Sequence, residues 1–268
     1  MSMTIQEIVT LLNRYYPEEW ASDWDSVGLV CGRPQRTVDT VAFAVDCVPE
    51  TVAEAQQRGA QLLVTHHPLY LRGVNSVAPL DYKGEMVHTL IEAGIGLYVA
   101  HTNADVANPG VSDALAQRIG LTQLRPLDPI ENTSVGIGRI GALPAPMRLS
   151  EFIEHVARVL PPTAWGVRAT GAAERIVRTV AVSGGSGDSY LGAAKSAGVD
   201  AFVTSDLRHH RASEHDQEEG PALIDAAHWA TERPWLDLVA SQVAATCQID
   251  TVVSDVNTDP WTLHASSN

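Results

Sequence analysis

Two adjacent imidazoles, His66 and His67, close the apolar run Leu62-Leu63-Val64-Thr65 and are followed by Pro68. The run reads as a buried strand, so both rings stand at a strand end. Two further elements carry related chemistry at one spacing, His101-x-x-x-Asp105 and His228-x-x-x-Glu232. Four histidines and two carboxylates, with no thiolate among them, form a mixed nitrogen and oxygen donor set that suits zinc, iron(II) or manganese. Shared between two ions, such a set leaves positions open for water. A divalent ion lowers the pKa of that water from about 15.7 towards ~7, which points to metal-assisted hydrolysis.

A histidine and a carboxylate four residues apart share a face only where the chain turns helically. Left extended, they would stand about 13 Å apart and could not share an ion. The metal reading therefore requires a bend after both His101 and His228.

The elements that must position these residues occur twice. Val41 to Asp46 reads as a buried strand, Glu50 to Arg58 as a helix stopped by Gly59, and Gln61 to Thr65 as a second strand. At one fixed offset, Val180-Ala181-Val182 falls on Val41-Ala42-Phe43, and Gly198 to Thr204 falls on Gly59 to Thr65 without a gap. Each copy then runs through a further strand, Gly96 to Ala100 or Ala222 to Ala227, into its His-x-x-x-acid element. A helix follows, Ser112 to Ile119 in one copy and about Pro234 to Ala245 in the other. Since proline is tolerated only in a helix's first turn, Glu232 is expected at or just before that start.

The expected fold is therefore α/β: two similar α/β halves from an internal duplication, residues 1–125 and 126–268. Ligands in such folds gather at the carboxyl ends of strands. Residues 122–132, with Pro126 and Pro129, read as a linker, Thr4 to Tyr16 and Leu149 to Leu160 as helices, and the polar tail from about 258 as loose.

Other features carry two readings. Gly184-Gly185-Ser186-Gly187 is either an anion-holding loop or, as we favour, a glycine-rich tight turn; it lacks the Lys-Ser/Thr of a P-loop. Ser205-Asp206 takes the repeat position of His66-His67, so Asp206, with His210 nearby, is a candidate proton carrier or partner of a ligand imidazole. The plainer alternative is a solvated charged loop. Asp46, ending its strand, could orient a ligand imidazole. Trp24-Asp25 reads as a turn anchor. His88, His155, His215 and His264 lack partners at useful spacing and read as structural or exposed.

The totals exclude several classes. Of the 268 residues, 45% are hydrophobic and 19% charged, which is ordinary for a globular chain. The net charge of −14, without a Lys/Arg cluster, excludes a nucleic-acid footprint. No apolar run reaches the ~18–20 residues of a membrane span, and Met1 to Glu7 lacks the pattern of a signal peptide. Three scattered cysteines, Cys31, Cys47 and Cys247, form no CxxC and favour a reducing cytoplasm. No Gly-x-Ser-x-Gly elbow supports a serine hydrolase.

Four motifs in order, Trp24 to Leu29, Thr65 to Leu69, His101 to Asp105 and Asp225 to Glu232, resemble the GTP cyclohydrolase I type 2 homologue family, also called the NGG-interacting-factor-three-like family. The resemblance runs from the N-terminus to about residue 245. It implies a metal site in the cleft between the two halves, with two divalent metal ions (zinc, iron or manganese) held by His66, His67, Asp105, His228 and Glu232, and Glu232 bridging. It leaves His101 as a ligand or an immediate neighbour. It also implies a toroidal homohexamer. The family usually has Gly-Asp where this chain has Ser205-Asp206, and often Asn at Ser26, which puts the substrate side of the pocket in doubt. The function expected is a metal-dependent hydrolase acting on a small molecule, either opening the imidazole ring of a GTP-type nucleotide by water addition or cleaving a phosphoester. The alternative is a non-catalytic metal-binding protein of regulatory, storage or interaction type.

Overall fold

The computed structural model describes residues 3–131 and 133–265. In chain order the elements are β1 (Met3–Thr4), α1 (Ile5–Tyr15), β2 (Gly28–Cys31), β3 (Thr37–Val38), β4 (Thr40–Ala44), α2 (Pro49–Gln57), β5 (Leu62–Thr65), α3 (Tyr82–Ala93), β6 (Gly96–Val99), α4 (Thr102–Val106), α5 (Val111–Ile119), β7 (Thr122–Pro129), β8 (Gly136–Arg148), α6 (Leu149–Val159), β9 (Val167–Ala169), β10 (Ile176–Ser186), α7 (Leu191–Ser196), β11 (Ala201–Ser205), α8 (His209–Gln217), β12 (Ala222–Ala226), α9 (His228–Cys247) and β13 (Asp250–Val253).

The chain divides into two compact units. One comprises Met1–Ala107 with Leu236–Thr258, the other Asn108–Trp235 with Asp259–Asn268. The expected boundary at 125/126 thus falls inside the second unit, and the first unit regains a C-terminal segment.

The first unit holds a five-stranded sheet in the order β13-β4-β5-β6-β2, parallel except for β2. β4 and β5 are buried almost throughout, as expected of parallel strands covered on both faces. Val52 and Ala55 of α2 and Met86, Val87 and Leu90 of α3 form one core with Ala42, Ala44, Leu63 and Leu97. Burying each large apolar side chain contributes roughly 1.5–3 kcal/mol. α1 begins in a reciprocal cap, with the Thr4 hydroxyl accepting from the Glu7 backbone and the Thr4 backbone donating to the Glu7 carboxylate at 2.7 Å. It buries Ile5, Ile8, Val9 and Leu12, one helical stripe.

The second unit holds a six-stranded sheet in the order β7-β8-β10-β11-β12-β9. Its parallel centre repeats the pairing of the first unit. Val41 faces Leu62 and Leu62 faces Gly96 in one sheet; Val180 faces Ala201 and Ala201 faces Ala222 in the other. Gly59 and Gly198 end the corresponding helices in the left-handed region, at φ +68° and +65°. The core includes an ion pair: Arg139 is 1% exposed and donates to both oxygens of Asp113, at 2.7 and 2.6 Å.

Four local expectations need correction. Most of the predicted linker 122–132 is strand β7; its prolines are tolerated because β7 is the sheet's edge. Gly184, Gly185 and Ser186 lie within β10 rather than in a turn. α9 begins at His228, with Pro234 inside it. Its first turn is held from within and from outside the helix: the Thr231 hydroxyl donates to the His228 carbonyl at 2.7 Å and accepts from Gly185 N of β10 at 2.9 Å. The tail is anchored as far as Trp261. Thr258 donates to Asp46, Asp259 is buried, and Trp261 lies against Trp165 at 6.3 Å between ring centroids. Residues 266–268 lie outside the described residues. Among those described, no helix is long and apolar enough to cross a membrane.

Candidate metal centre

Each unit assembles its own donors at the carboxyl ends of its parallel strands. In the first unit β5 ends at Thr65 and the chain curls over the end of β4. His66 N donates to the carbonyls of Ala44 and Val45, and His67 N to that of Val45 at 2.9 Å. The buried Thr65 hydroxyl donates to the His67 carbonyl at 3.0 Å. These bonds fix the backbone beneath both rings. β6 delivers His101, which stands at the start of α4. The amides of Ala104 and Asp105 donate to the His101 carbonyl at 2.8 and 3.1 Å, so the chain makes the helical turn that the His-x-x-x-Asp spacing demands.

One ring nitrogen each from His66, His67 and His101 lie within 4.8 Å of one another, a separation one ion can span. His66 Nε2 stands 3.8 Å from Asp105 Oδ1. Each imidazole is tied at Nδ1 to an oxygen acceptor: His66 to the Ala100 carbonyl at 2.9 Å, His67 to Asp46 at 2.7 Å, His101 to Asp25 at 2.8 Å. An oxygen acceptor assigns the proton to Nδ1 and leaves the Nε2 lone pair as the donor, the arrangement that orients metal-binding histidines.

Asp25 does more than anchor a turn. Its Oδ1 holds His101, and its Oδ2 accepts from the Thr102 amide and hydroxyl at 3.0 and 2.5 Å. Burial works against its charge, but the bonds from His101 and Thr102 more than reverse this and hold the carboxyl well below the usual range. The neighbouring Trp24 ring meets His101 edge-on, 5.9 Å between centroids.

In the second unit His228 opens α9, and its Nε2 lies 3.0 Å from Glu232 Oε1, one turn along. Its Nδ1 is tied to Asp206 Oδ2 at 2.6 Å. Burial disfavours the imidazolium, yet the carboxylates of Glu232 and Asp206 outweigh it and push the His228 pKa up to about 11. Without a metal this ring holds a proton that an ion would have to displace. Asp206 adopts φ +57°, a left-handed backbone conformation uncommon for aspartate, and Ser205 beside it is fully buried.

Sequence reasoning missed Gly185. Its φ is +62°, and a Cβ there would lie 2.4 Å from Glu232 Oε1 and 3.1 Å from His228 Nε2. The glycine of the supposed turn is thus the floor beneath the His228–Glu232 pair, a demand set by tertiary packing. His210 sits exposed in the first turn of α8, its ring against His209 at 5.3 Å. The four histidines set aside in the sequence are structural or exposed: His215 is buried, His155 bonds the Ile119 carbonyl at 2.8 Å, His88 is half-buried on α3, and His264 is exposed.

These features define a class: an α/β protein with mixed sheets and histidine–carboxylate groups, able to hold metal, at the ends of parallel strands. The chain belongs to the DUF34/NIF3 family (NGG1p interacting factor 3), whose sequence profile matches residues 3–260. A Streptomyces coelicolor protein named GTP cyclohydrolase 1 type 2 homolog is 51% identical, covering 98% of this chain and 95% of that one. A Mycobacterium tuberculosis protein of the same name is 35% identical, over 98% of each. Among solved structures, a Staphylococcus aureus hypothetical protein matches with TM-score 0.90 and 28% identity, covering 98% of this chain and all (100%) of that one. The Bacillus cereus protein related to NIF3 shares the fold, with TM-score 0.89 at 24% identity, over 98% and 99% of the two chains.

Proposed function

We propose that the protein binds two divalent ions and is a metal-dependent hydrolase acting on a nucleotide or a phosphoester. The observation that carries this reading is the orientation of the histidines: His66, His67, His101 and His228 are each anchored at Nδ1 by an oxygen. Structural histidines need no such common orientation. The donors proposed are His66, His67, His101 and Asp105 from the first unit with His228 and Glu232 from the second. Their nitrogen and oxygen chemistry suits zinc, iron(II) or manganese. When bound, such ions supply a nucleophilic water near neutral pH and polarise the group under attack.

The chain's own residues then have separable tasks. Asp46, Asp25 and Asp206 hold three of the imidazoles in place. Of the two proton carriers proposed, Asp206 is the better situated, hydrogen-bonded to His228, while His210 is exposed on α8. The relatives' name supports a GTP-type nucleotide among the substrates to be tried first. The assembly proposed with this reading is a homohexamer, which sedimentation would test.

Elemental analysis of protein purified without added metal should find two ions per chain. The loaded protein should turn over a nucleotide or a phosphoester, and Glu232→Ala should abolish the reaction. Unchanged turnover in Glu232→Ala would refute the assignment. A second reading has its own support, since the family description refers to an interacting factor rather than to an activity. Reversible metal binding with no turnover on any phosphoester or nucleotide would favour that regulatory, storage or interaction role.

A further inference from the structure

Beyond the donors lies a link that joins the C-terminal segment to one of them. β13 runs parallel to β4, with Asp250 beside Thr40 and Val253 beside Phe43. Both strands continue past the sheet. β4 leads into Val45 and Asp46, and β13 into Ser254–Thr258. The continuation is tied down: Ser254 N donates to the Phe43 carbonyl at 2.8 Å, the Ser254 hydroxyl to Glu54 at 2.5 Å, and Val256 N to the Ser254 hydroxyl at 3.2 Å. It ends with the Thr258 hydroxyl donating to Asp46 Oδ2. The other oxygen of that carboxylate, Oδ1, accepts His67 Nδ1–H at 2.7 Å.

We propose that Thr258 is a positioning residue for His67, acting through Asp46. This rests on the metal-centre reading above. The His67 backbone is fixed by Val45 and Thr65, so the bond from Nδ1 to Asp46 acts on the direction of the ring. A carboxylate bonded through one oxygen can pivot about its side-chain torsions. Bonded through both, its plane is set, and Oδ1 is held where His67 Nδ1–H must point. The Thr258 hydroxyl therefore fixes the direction of His67 Nε2, and it keeps the proton on Nδ1.

Outer partners of metal-binding histidines typically govern affinity by 10–100-fold, and one step further out the low end, about tenfold, is expected. Zinc affinity, measured by competition with a chromogenic chelator, should weaken about tenfold in Thr258→Val and stay near wild type in Thr258→Ser, which keeps the hydroxyl. The second readout needs no metal: long-range 1H–15N spectra of the metal-free protein should show His67 losing its Nδ1–H form in Thr258→Val and retaining it in Thr258→Ser. Thermal unfolding identifies a valine variant that fails to fold, and Thr258→Ala then carries both measurements. A folded variant without the hydroxyl that keeps wild-type zinc affinity and the wild-type His67 tautomer overturns the inference. Wild-type protein that binds no ion would defeat the metal-centre reading instead, and the tautomer measurement would still decide the role of Thr258.

Discussion

His228 Nε2 and Glu232 Oε1 face each other at 3.0 Å across the first turn of α9, and the backbone of Gly185 fills the space beneath them. The pair exists because a strand residue without a side chain lets a helix start against it. Gly185→Ala meets two obstacles at once, a Cβ at 2.4 Å from Glu232 Oε1 and a left-handed φ of +62°. We expect a loss of stability of about 1–3 kcal/mol from the backbone conformation, and weaker metal uptake in protein that remains folded. Urea titration and chelator competition measure the two effects. An alanine variant with wild-type stability and affinity would mean that β10 and α9 move apart without cost.

Asp25 sets a pH dependence. Its folded pKa lies below the usual carboxylate value, so the folded state binds a proton less readily than the unfolded chain. The stability it contributes is complete above the unfolded value of about 3.9. It drains away as pH falls below that, towards the folded value. Acid unfolding followed by circular dichroism should therefore be shallower over this range in Asp25→Asn. The same variant should bind zinc 10–100-fold more weakly, having lost the carboxylate that orients His101. Identical acid profiles for the two proteins would contradict the assignment.

His215 sets a second pH dependence of the same sign, beginning nearer neutrality. Burial pushes its imidazole below the ordinary value, against the effect of the Pro221 backbone. The unfolded chain takes up a proton near pH 6.5, before the folded one does. Stability attributable to this residue is therefore full above that pH and declines as pH drops towards the folded value. NMR titration should give a His215 midpoint below 6.5, and a midpoint above 6.5 would reverse the sign.

The Arg139–Asp113 pair tests the core of the second unit without touching the proposed donors. Asp113→Ala leaves a guanidinium 1% exposed without its carboxylate and should cost about 3–5 kcal/mol. Asp113→Ala combined with Arg139→Met should recover part of that loss. If the double variant proves less stable than the single one, the bonds from Arg139 to the Gly136 and Gly138 carbonyls outweigh the cost of its unpaired charge.

The part of the centre that sequence makes readable is the part built from local geometry. His-x-x-x-Asp and His-x-x-x-Glu declare their bends because residues four apart meet only on a helix, and His66-His67 declares a strand end through the apolar run before it. The parallel cores were readable for the same reason: β4, β5 and β11 are continuous apolar runs. What stayed hidden depends on partners distant in the chain. Gly185 looks like a turn residue until His228 and Glu232 are placed over it. Thr258 bonds Asp46 across 212 positions, a contact that no local pattern announces. Pro234 suggests a helix start, but the bonds of Thr231 to His228 and Gly185 carry the helix back to His228. Pro126 and Pro129 suggest a linker because proline is rare in strands, yet an edge position accepts them.

Those two prolines also bear on how the outer edge of the sheet is protected. The outer strand of a sheet is a template on which another chain's backbone can continue the hydrogen-bond ladder, the usual route to aggregation through edges. Two of the eight residues of β7 have no N–H to offer. The β7 edge of the six-stranded sheet is therefore a poor seed for strand addition by another chain.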